Sequence, residues 1–158
     1  MHRPNTEIER KFLVLGEDWR GLSNGVYIRQ GYLCCDETST VRVRQFGDEG
    51  FLTVKGRTIG ITRTEYEYEI PIDETEYMLT NLCQKPLIEK HRYHIPFRGL
   101  VWEVDEFHGS NQGLVIAEIE LISEDQKIQK PFWVGSEVSL DLRYTNSNLA
   151  KTPYQTWS

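Results

Sequence analysis

The sequence is poor in cysteine, with three residues in 158, and two of these are the adjacent Cys34 and Cys35. Neighbouring cysteines are badly placed to bridge each other. The chain also has no CxxC pair and no Cys/His array with the spacing of a zinc site. These absences argue against a disulfide framework and a structural zinc site, and we expect a reducing compartment.

Long apolar runs are absent as well. No segment approaches the roughly 20 apolar residues of a membrane-spanning helix. No signal-like hydrophobic stretch follows Met1. We therefore expect a cytoplasmic protein without a membrane partner. The length, and the lack of repeats, low-complexity tracts and long linkers, predict one domain over residues 1–158.

An excess of positive charge is also missing. The net charge is −6 and the isoelectric point is about 5.3. Proteins that bind duplex nucleic acid usually carry a basic patch or a high isoelectric point. We therefore expect no nucleic-acid partner.

What the sequence does contain is charge at every second position of several short segments. Glu7, Glu9 and Lys11 show this pattern first, just before the apolar run Phe12–Leu15. Because side chains alternate along a strand, the three would project from one face. The same alternation recurs in Val41–Arg44, Phe51–Lys55, Thr64–Ile70, Ile88–His94, Val101–Asp105 and Ala117–Leu121.

With the run Val26–Leu33, these segments make about eight candidate strands, bounded by Gly, Asn, Asp or Pro. Glycine-containing turns at 47–50 and 56–60 predict local hairpins, and Asp73–Leu82 predicts a short helix with Asp73 as its N-cap. Local hairpins imply an antiparallel sheet, and a polar inner face implies that the sheet closes. We expect a mainly β (α+β) fold: an antiparallel closed barrel, or tunnel, with a charged lumen and a few peripheral helices.

The chemistry of such a lumen would be unusual. Burying an ion costs several kcal/mol, so acids and bases must pair or be neutralised by ligands. Carboxylates bind Mg²⁺ or Mn²⁺, and Arg and Lys bind phosphate oxygens. The lumen would therefore suit a polyanion together with divalent metals. Its acidic members would be Glu7, Glu9, Glu65, Glu67, Glu103, Asp105, Glu118 and Glu120, and its basic members Lys11, Arg42, Arg44, Lys55, Lys90 and Arg92.

Each alternating strand, taken singly, also fits a sheet with one face in water. Cross-strand Glu–Arg pairs would then be ordinary sheet stabilisers. The recurrence of the same pattern in so many strands favours an enclosed site instead. The four histidines show no metal-ligand spacing.

The ordered set of motifs resembles the CYTH superfamily, the triphosphate tunnel metalloenzymes. The resemblance runs from Glu7 to Ala150 and is strongest to the compact bacterial branch associated with hydrolysis of inorganic tripolyphosphate. The motifs are Glu-Ile-Glu-Arg-Lys, Val-Arg-Val-Arg, Leu-Thr-Val-Lys-Gly, Glu-Tyr-Glu, Ile-Glu-Lys-His-Arg-Tyr, Trp-Glu-Val-Asp-Glu-Phe, Ala-Glu-Ile-Glu-Leu and the segment Arg143–Ala150.

The resemblance implies an eight-stranded antiparallel tunnel that binds a triphosphate along its axis, with Mg²⁺ or Mn²⁺ as cofactor and two ions in the active complex. It implies metal ligands at Glu7, Glu9, Asp105, Glu118 and Glu120. It implies phosphate-binding cations at Lys11, Arg42, Arg44, Lys55, Lys90 and Arg92. Lys11, Glu65 and Glu67 are the catalytic candidates.

The function expected on this basis is metal-dependent hydrolysis of a small-molecule triphosphate, most simply tripolyphosphate to pyrophosphate and phosphate. No Ser/His or Cys/His arrangement suggests a covalent intermediate. Lys11 could be a general base only with a strongly lowered pKa, so beside Glu7 and Glu9 a role in positioning phosphate is favoured.

Two kinds of alternative stay open from the sequence. One is a class IV-type adenylyl cyclase or a nucleoside or thiamine triphosphatase. The other is a non-catalytic module that binds polyphosphate or nucleotide, although its many carboxylates would weaken simple anion binding. The outward apolar strand faces are compatible with a homodimer.

Overall fold

The structure, a computed structural model, describes residues 5–157. Strands dominate, with two α-helices and three short 3₁₀ turns. The strands are β1 (Thr6–Val14), β2 (Gly25–Cys35), β3 (Ser39–Phe46), β4 (Glu49–Gly56), β5 (Thr62–Ile70), β6 (Ile88–Phe97), β7 (Leu100–Phe107), β8 (Val115–Glu120) and β9 (Val134–Glu137), and the helices are α1 (Ile72–Asn81) and α2 (Asn146–Lys151).

Eight strands close into an antiparallel barrel in the order β5-β4-β3-β2-β6-β7-β8-β1. The barrel closes where β1 pairs with β5, with Thr6 opposite Thr64 and Ile8 opposite Thr62. The ninth strand, β9, lies outside the barrel and pairs with the second half of β1. The predicted mainly β closed barrel is confirmed, and both predicted hairpins form, β3–β4 and β4–β5.

The hydrophobic core lies largely outside the lumen. Trp102 and Val104 of β7 are fully buried and have the opposite parity to Glu103 and Asp105 of that strand. They pack with Phe12 and Trp133, and the rings of Phe12 and Trp102 meet edge to face, with centroids 5.5 Å apart. The barrel therefore reverses the usual arrangement, because its strands turn charge inward and apolar side chains outward.

Helix α1 covers the outside of β3 and β4. Leu79 is fully buried against Val43 and Cys83. The prediction that Asp73 is the N-cap is wrong: Pro71 holds that position, no side chain caps the helix, and α1 ends at Asn81. Asp73 lies in the first turn instead, where a negative charge still interacts favourably with the helix dipole.

The C-terminal part of the chain packs into one end of the barrel. We call residues 142–151, a 3₁₀ turn followed by α2, the closing segment. Leu149 is fully buried against Ile88, Phe107 and Ile116, which share the inward parity of β6, β7 and β8. The Thr145 hydroxyl caps α2 by accepting from the backbone N–H of Asn148.

No helix in the described part of the chain is long and apolar enough to span a membrane. The single domain over residues 1–158 stays a prediction.

Candidate active site

A cavity of about 340 Å³ lies inside the barrel. It is lined by eight carboxylates and four cationic side chains, with Phe46, Phe51 and Asn146 completing the wall. The carboxylates belong to Glu7, Glu9, Glu49, Glu65, Glu67, Glu103, Glu118 and Glu120, and the cations are Arg42, Arg44, Lys55 and Arg92. We call this the acidic cavity.

A second cavity of about 190 Å³ adjoins it. Its charged groups are the cations Lys11, Arg42, Lys55 and Arg63 and the carboxylates of Glu9 and Asp141. We call it the basic cavity. The two cavities share four lining residues, so they form successive parts of one lumen: Glu9, Arg42, Lys55 and Asn146.

Strand register brings the predicted residues together. Lys11 of β1 lies opposite Glu118 of β8, and Lys55 of β4 lies opposite Glu65 of β5. Most of the predicted site residues line the lumen. Those in the acidic cavity are Glu7, Glu9, Arg42, Arg44, Lys55, Glu65, Glu67, Arg92, Glu118 and Glu120, and Lys11 lies in the basic cavity.

Lys90 and Asp105 line neither cavity and are fully buried. Lys90 Nζ lies 2.8 Å from Asp105, and Arg92 binds the same carboxylate through two N–H groups at 2.8 and 2.9 Å. Both cations hold the pKa of Asp105 well below its usual range despite burial. In this arrangement Asp105 anchors two cations, and Glu103 is the carboxylate of β7 that faces the cavity.

Lys55 bridges two acidic strands. Its Nζ lies 3.0 Å from Glu7 and 3.1 Å from Glu65. Burial and the nearby Arg42 guanidinium lower the pKa of Lys55 to about 8. Burial alone would raise the pKa of Glu7, but the Lys55 ammonium outweighs it and the pKa is lowered.

Lys11 is poorly suited to accept a proton. Burial alone would lower its pKa, but Glu118 and Glu9 outweigh burial and raise it. Its Nζ lies 3.4 Å from Glu118 and 3.4 Å from the Tyr144 carbonyl oxygen. An amine with a raised pKa is protonated at neutral pH, so this geometry favours phosphate positioning over general-base catalysis.

Arg42 carries a donor without a partner. The residue is almost fully buried, with a relative exposure of 6 %. Its Nη2 donates to the Thr53 hydroxyl at 3.2 Å and lies 3.6 Å from Glu67. Its Nε, also buried, has no hydrogen-bond partner among the described residues. A buried donor without a partner costs free energy. Five other side-chain atoms among the described residues share this state, those of Ser23, Arg29, Thr62, Arg63 and Trp102.

The acidic cavity carries an excess of negative charge that bound cations would neutralise. Although the Glu120 side chain is partly exposed, partial desolvation and the neighbouring carboxylates Glu103, Glu7, Glu9 and Glu118 raise its pKa to about 7. Within residues 5–157, no group of three or more His, Cys, Asp or Glu side chains is already gathered around one metal position. Mg²⁺ does not require such a cage, because it commonly binds one or two carboxylates together with substrate phosphates and water. The oxygen donors present therefore fit a divalent metal that arrives with a phosphate ligand.

Several lining residues were missed from the sequence, among them Glu49, Phe46, Phe51 and Asn146 of the acidic cavity and Arg63 of the basic cavity. Asn146 is a single uncharged residue in a short irregular segment, and neither charge nor strand alternation distinguishes it.

Closed topology and inward charge of both signs define a tunnel protein whose lumen suits a polyanion. The sequence profile of the CYTH domain matches residues 5–154. The chain belongs to the CYTH domain family.

Two relatives match almost the whole chain. The inorganic triphosphatase of Acetivibrio thermocellus is 56 % identical over 149 residues, which span 94 % of this chain and 96 % of the relative. The inorganic triphosphatase of Nitrosomonas europaea is 41 % identical, over 92 % of this chain and 97 % of the relative. The crystal structure of the inorganic triphosphatase NE1496 superposes with a TM-score of 0.68 at 37 % identity, covering 95 % of this chain and 97 % of that one.

Proposed function

We propose that the protein is a divalent-metal-dependent enzyme that hydrolyses inorganic tripolyphosphate to pyrophosphate and orthophosphate. The observation that carries this proposal is a lumen inside the barrel in which four cationic side chains, among them the buried Arg42, lie beside eight carboxylates. A cationic clamp alone would bind anions, but so many carboxylates beside it require metal ions as well. The two relatives named inorganic triphosphatase support the choice of substrate.

The cations of the acidic cavity would hold the substrate. Arg42, Arg44 and Arg92 present guanidinium donors to the lumen, and Lys55 adds an ammonium group. Hydrogen bonds between such cations and phosphate oxygens are short and strong. Phosphoryl transfer needs little more from a protein than positioning and stabilisation of charge. Lys11 would extend the clamp into the basic cavity.

The metal ligands would be Glu7, Glu9, Glu118 and Glu120, all of which line the acidic cavity. Bound Mg²⁺ or Mn²⁺, as two ions, would neutralise phosphate charge and lower the pKa of a bound water. Glu65 lies 3.1 Å from Lys55, and Glu67 lies 3.6 Å from Arg42. These two carboxylates would therefore hold the phosphate-binding cations in position. Asp105 does not belong to this ligand set, because Lys90 and Arg92 already bind its oxygens.

The first test is phosphate release from tripolyphosphate, ATP, thiamine triphosphate and pyrophosphate, with Mg²⁺, Mn²⁺ or EDTA. We expect turnover of tripolyphosphate that requires metal and spares pyrophosphate. A preference for ATP would instead move the function toward nucleotide chemistry and require an assay for cyclic AMP. Tight binding without turnover would make the protein a binding module.

A matched pair of variants ties this activity to the lumen. Arg42→Gln should lower turnover of tripolyphosphate by about a hundredfold, the loss usual for one donor to developing charge. Arg98→Gln is the control, because Arg98 lies on the outer surface and donates to Gln129. Equal activity in both variants would contradict the proposed clamp. The homodimer and the cytoplasmic location stay predictions.

A further inference from the structure

Asn146 occupies the junction between the two cavities. It is the first residue of α2, and it lines both the acidic and the basic cavity. Arg42 and Lys55 line both cavities too, so the amide lies at the same level of the lumen as two predicted phosphate-binding cations.

The orientation of the Asn146 amide is determined by its partners. Lys90 Nζ donates to Asn146 Oδ1 at 2.9 Å. Burial lowers the pKa of Lys90 to about 7, but the Asp105 carboxylate 2.8 Å away stabilises the ammonium form. An ammonium group only donates, so the amide atom that faces Lys90 is the oxygen. Gln30 Nε2 donates to the same oxygen at 3.4 Å. The orientation of Gln30 is determined in turn, because Arg44 Nε donates to its Oε1 at 2.9 Å.

The Nδ2 group of Asn146 is consequently turned away from Lys90 and Gln30. Lys90 is fully buried behind the wall, whereas Asn146 itself lines the lumen. No residue in the range 5–157 accepts a hydrogen bond from Nδ2 in the structure. Two N–H donors are therefore available at the junction of the cavities.

We propose that Asn146 is a substrate-binding residue whose Nδ2 donates to a phosphate oxygen of the bound triphosphate. This inference rests on the proposed function. It gives the closing segment a direct part in recognition, since the same segment also accepts from Lys11 through the Tyr144 carbonyl oxygen. The rival role is purely structural, with Asn146 serving only as the acceptor that holds Lys90.

Two substitutions separate these roles, because they affect the two ends of the amide differently. Asn146→Asp keeps an oxygen for Lys90 and the side-chain volume, but replaces the donor by an acceptor that faces phosphate oxygens. Asn146→Ala removes both ends without adding charge. Direct donation predicts that the Asp variant binds triphosphate more weakly than the Ala variant. A structural role predicts the reverse order, since the Asp variant would still hold Lys90.

The measurement is calorimetric titration with imidotriphosphate, whose P–N–P bridges resist hydrolysis, in the presence of Mg²⁺. We expect Asn146→Asp to weaken binding by about tenfold or more, the loss typical of a hydrogen bond to a charged group, and Asn146→Ala by less. KM for tripolyphosphate should rise in the same order. Thermal unfolding should show that Asn146→Asp is folded.

Asn148→Asp is the matched control. It adds the same charge to the same short helix, but the Asn148 amide donates to the Arg143 carbonyl oxygen and lines neither cavity. Binding by this variant should match the wild type. Wild-type-like binding by Asn146→Asp, or weaker binding by Asn146→Ala than by Asn146→Asp, would overturn the inference alone. Failure of the wild type to bind the analogue would overturn the proposed function together with it.

Discussion

Asp105 illustrates how a single carboxylate can organise one side of the tunnel. It is fully buried and forms ion pairs with both Lys90 and Arg92. Arg92 also donates to Glu103 at 2.9 Å, so the guanidinium group is held by two carboxylates, those of Asp105 and Glu103. Removing one member of a buried ion cluster leaves the charges of the other members uncompensated. The resulting loss of stability is usually larger than the stability that the intact cluster contributes.

We therefore predict that Asp105→Asn lowers the free energy of unfolding by about 3–5 kcal/mol. Urea unfolding in EDTA would measure the change without any contribution from metal. Asp48→Asn, in the exposed β3–β4 turn, removes the same charge and should alter stability little. If Asp105 served only as a metal ligand, Asp105→Asn would be as stable as the wild type in EDTA.

Glu120 gives the metal-free protein a specific pH dependence. Partial desolvation and four neighbouring carboxylates raise its pKa to about 7, from an ordinary value of 4.5. The native state therefore holds a proton that the unfolded state has released, and stability falls as the pH rises through this interval. In EDTA, this contribution should lower the melting temperature between about pH 5 and about pH 7. At higher pH it is opposed by Lys90 and Lys55, because burial lowers their pKa values to about 7 and about 8.

Glu120→Gln removes the titrating group and should make that decrease smaller. Thermal unfolding of both proteins across the same pH series measures the difference. Glu124→Gln is a suitable control, because Glu124 does not line either cavity. Identical pH dependence in the wild type and Glu120→Gln would mean that the carboxylates of the acidic cavity do not interact as the structure implies.

At the scale of elements, α1 is placed by a close approach to β4. Gly50 is buried, and a Cβ added there would overlap Thr75 Oγ1 and lie 3.1 Å from the Ile70 carbonyl oxygen. Thr75 is itself fully buried and donates to the Pro71 carbonyl oxygen, so it cannot move aside easily. Any side chain at position 50 must therefore push the helix away from the sheet.

Gly50→Ala should consequently cost about 1–3 kcal/mol of unfolding free energy through overpacking. Gly56→Ala is the matched substitution on the same strand, because the Cβ there would meet Thr64 only at 3.4 Å, an ordinary contact. Denaturant unfolding of the two variants would compare them directly. Equal stability would show that α1 can shift at no cost.

The same elements show what could be predicted from the sequence. Seven of the eight barrel strands were predictable because charged residues recur at every second position, as in Val41–Arg44. The eighth, β2, was predicted from the run Val26–Leu33. Strand β9 was missed because it is four residues long and half exposed, and so carries no clear alternation. The Asp73 cap was predicted wrongly because a preceding proline can take that position.

The site residues could be predicted where charged and apolar residues alternate along a strand. Parity placed Arg44 and Glu118 in the lumen, but it could not show that Asp105 lies behind Lys90 and Arg92. That difference depends on the depth of each side chain in the wall, which arises only when the barrel closes. Asn146 was beyond sequence reasoning for a related reason, since its position depends on how the closing segment packs into the barrel end.

At the scale of the whole molecule, the lumen is electrically asymmetric. Eight carboxylates face four cations in the acidic cavity, while four cations face two carboxylates in the basic cavity. Asp141 is already bound by Arg143, so the excess of positive charge on the second side is larger than the count suggests. On the proposed function, the carboxylates of the acidic cavity would attract divalent cations and the cations of both cavities would attract phosphate, so metal and substrate should assist each other in binding.

This asymmetry predicts cooperative stabilisation. A ligand that binds only the native state at a hundred times its Kd adds about 2.7 kcal/mol, or roughly 5–10 °C in melting temperature for a chain of this size. We expect Mg²⁺ with imidotriphosphate to reach this range, and each alone to give much less, because either alone leaves one set of lumen charges uncompensated. Thermal unfolding with the four combinations of the two ligands measures the coupling. Strictly additive shifts in melting temperature would contradict this coupling, because they would mean that metal and triphosphate bind independently of each other.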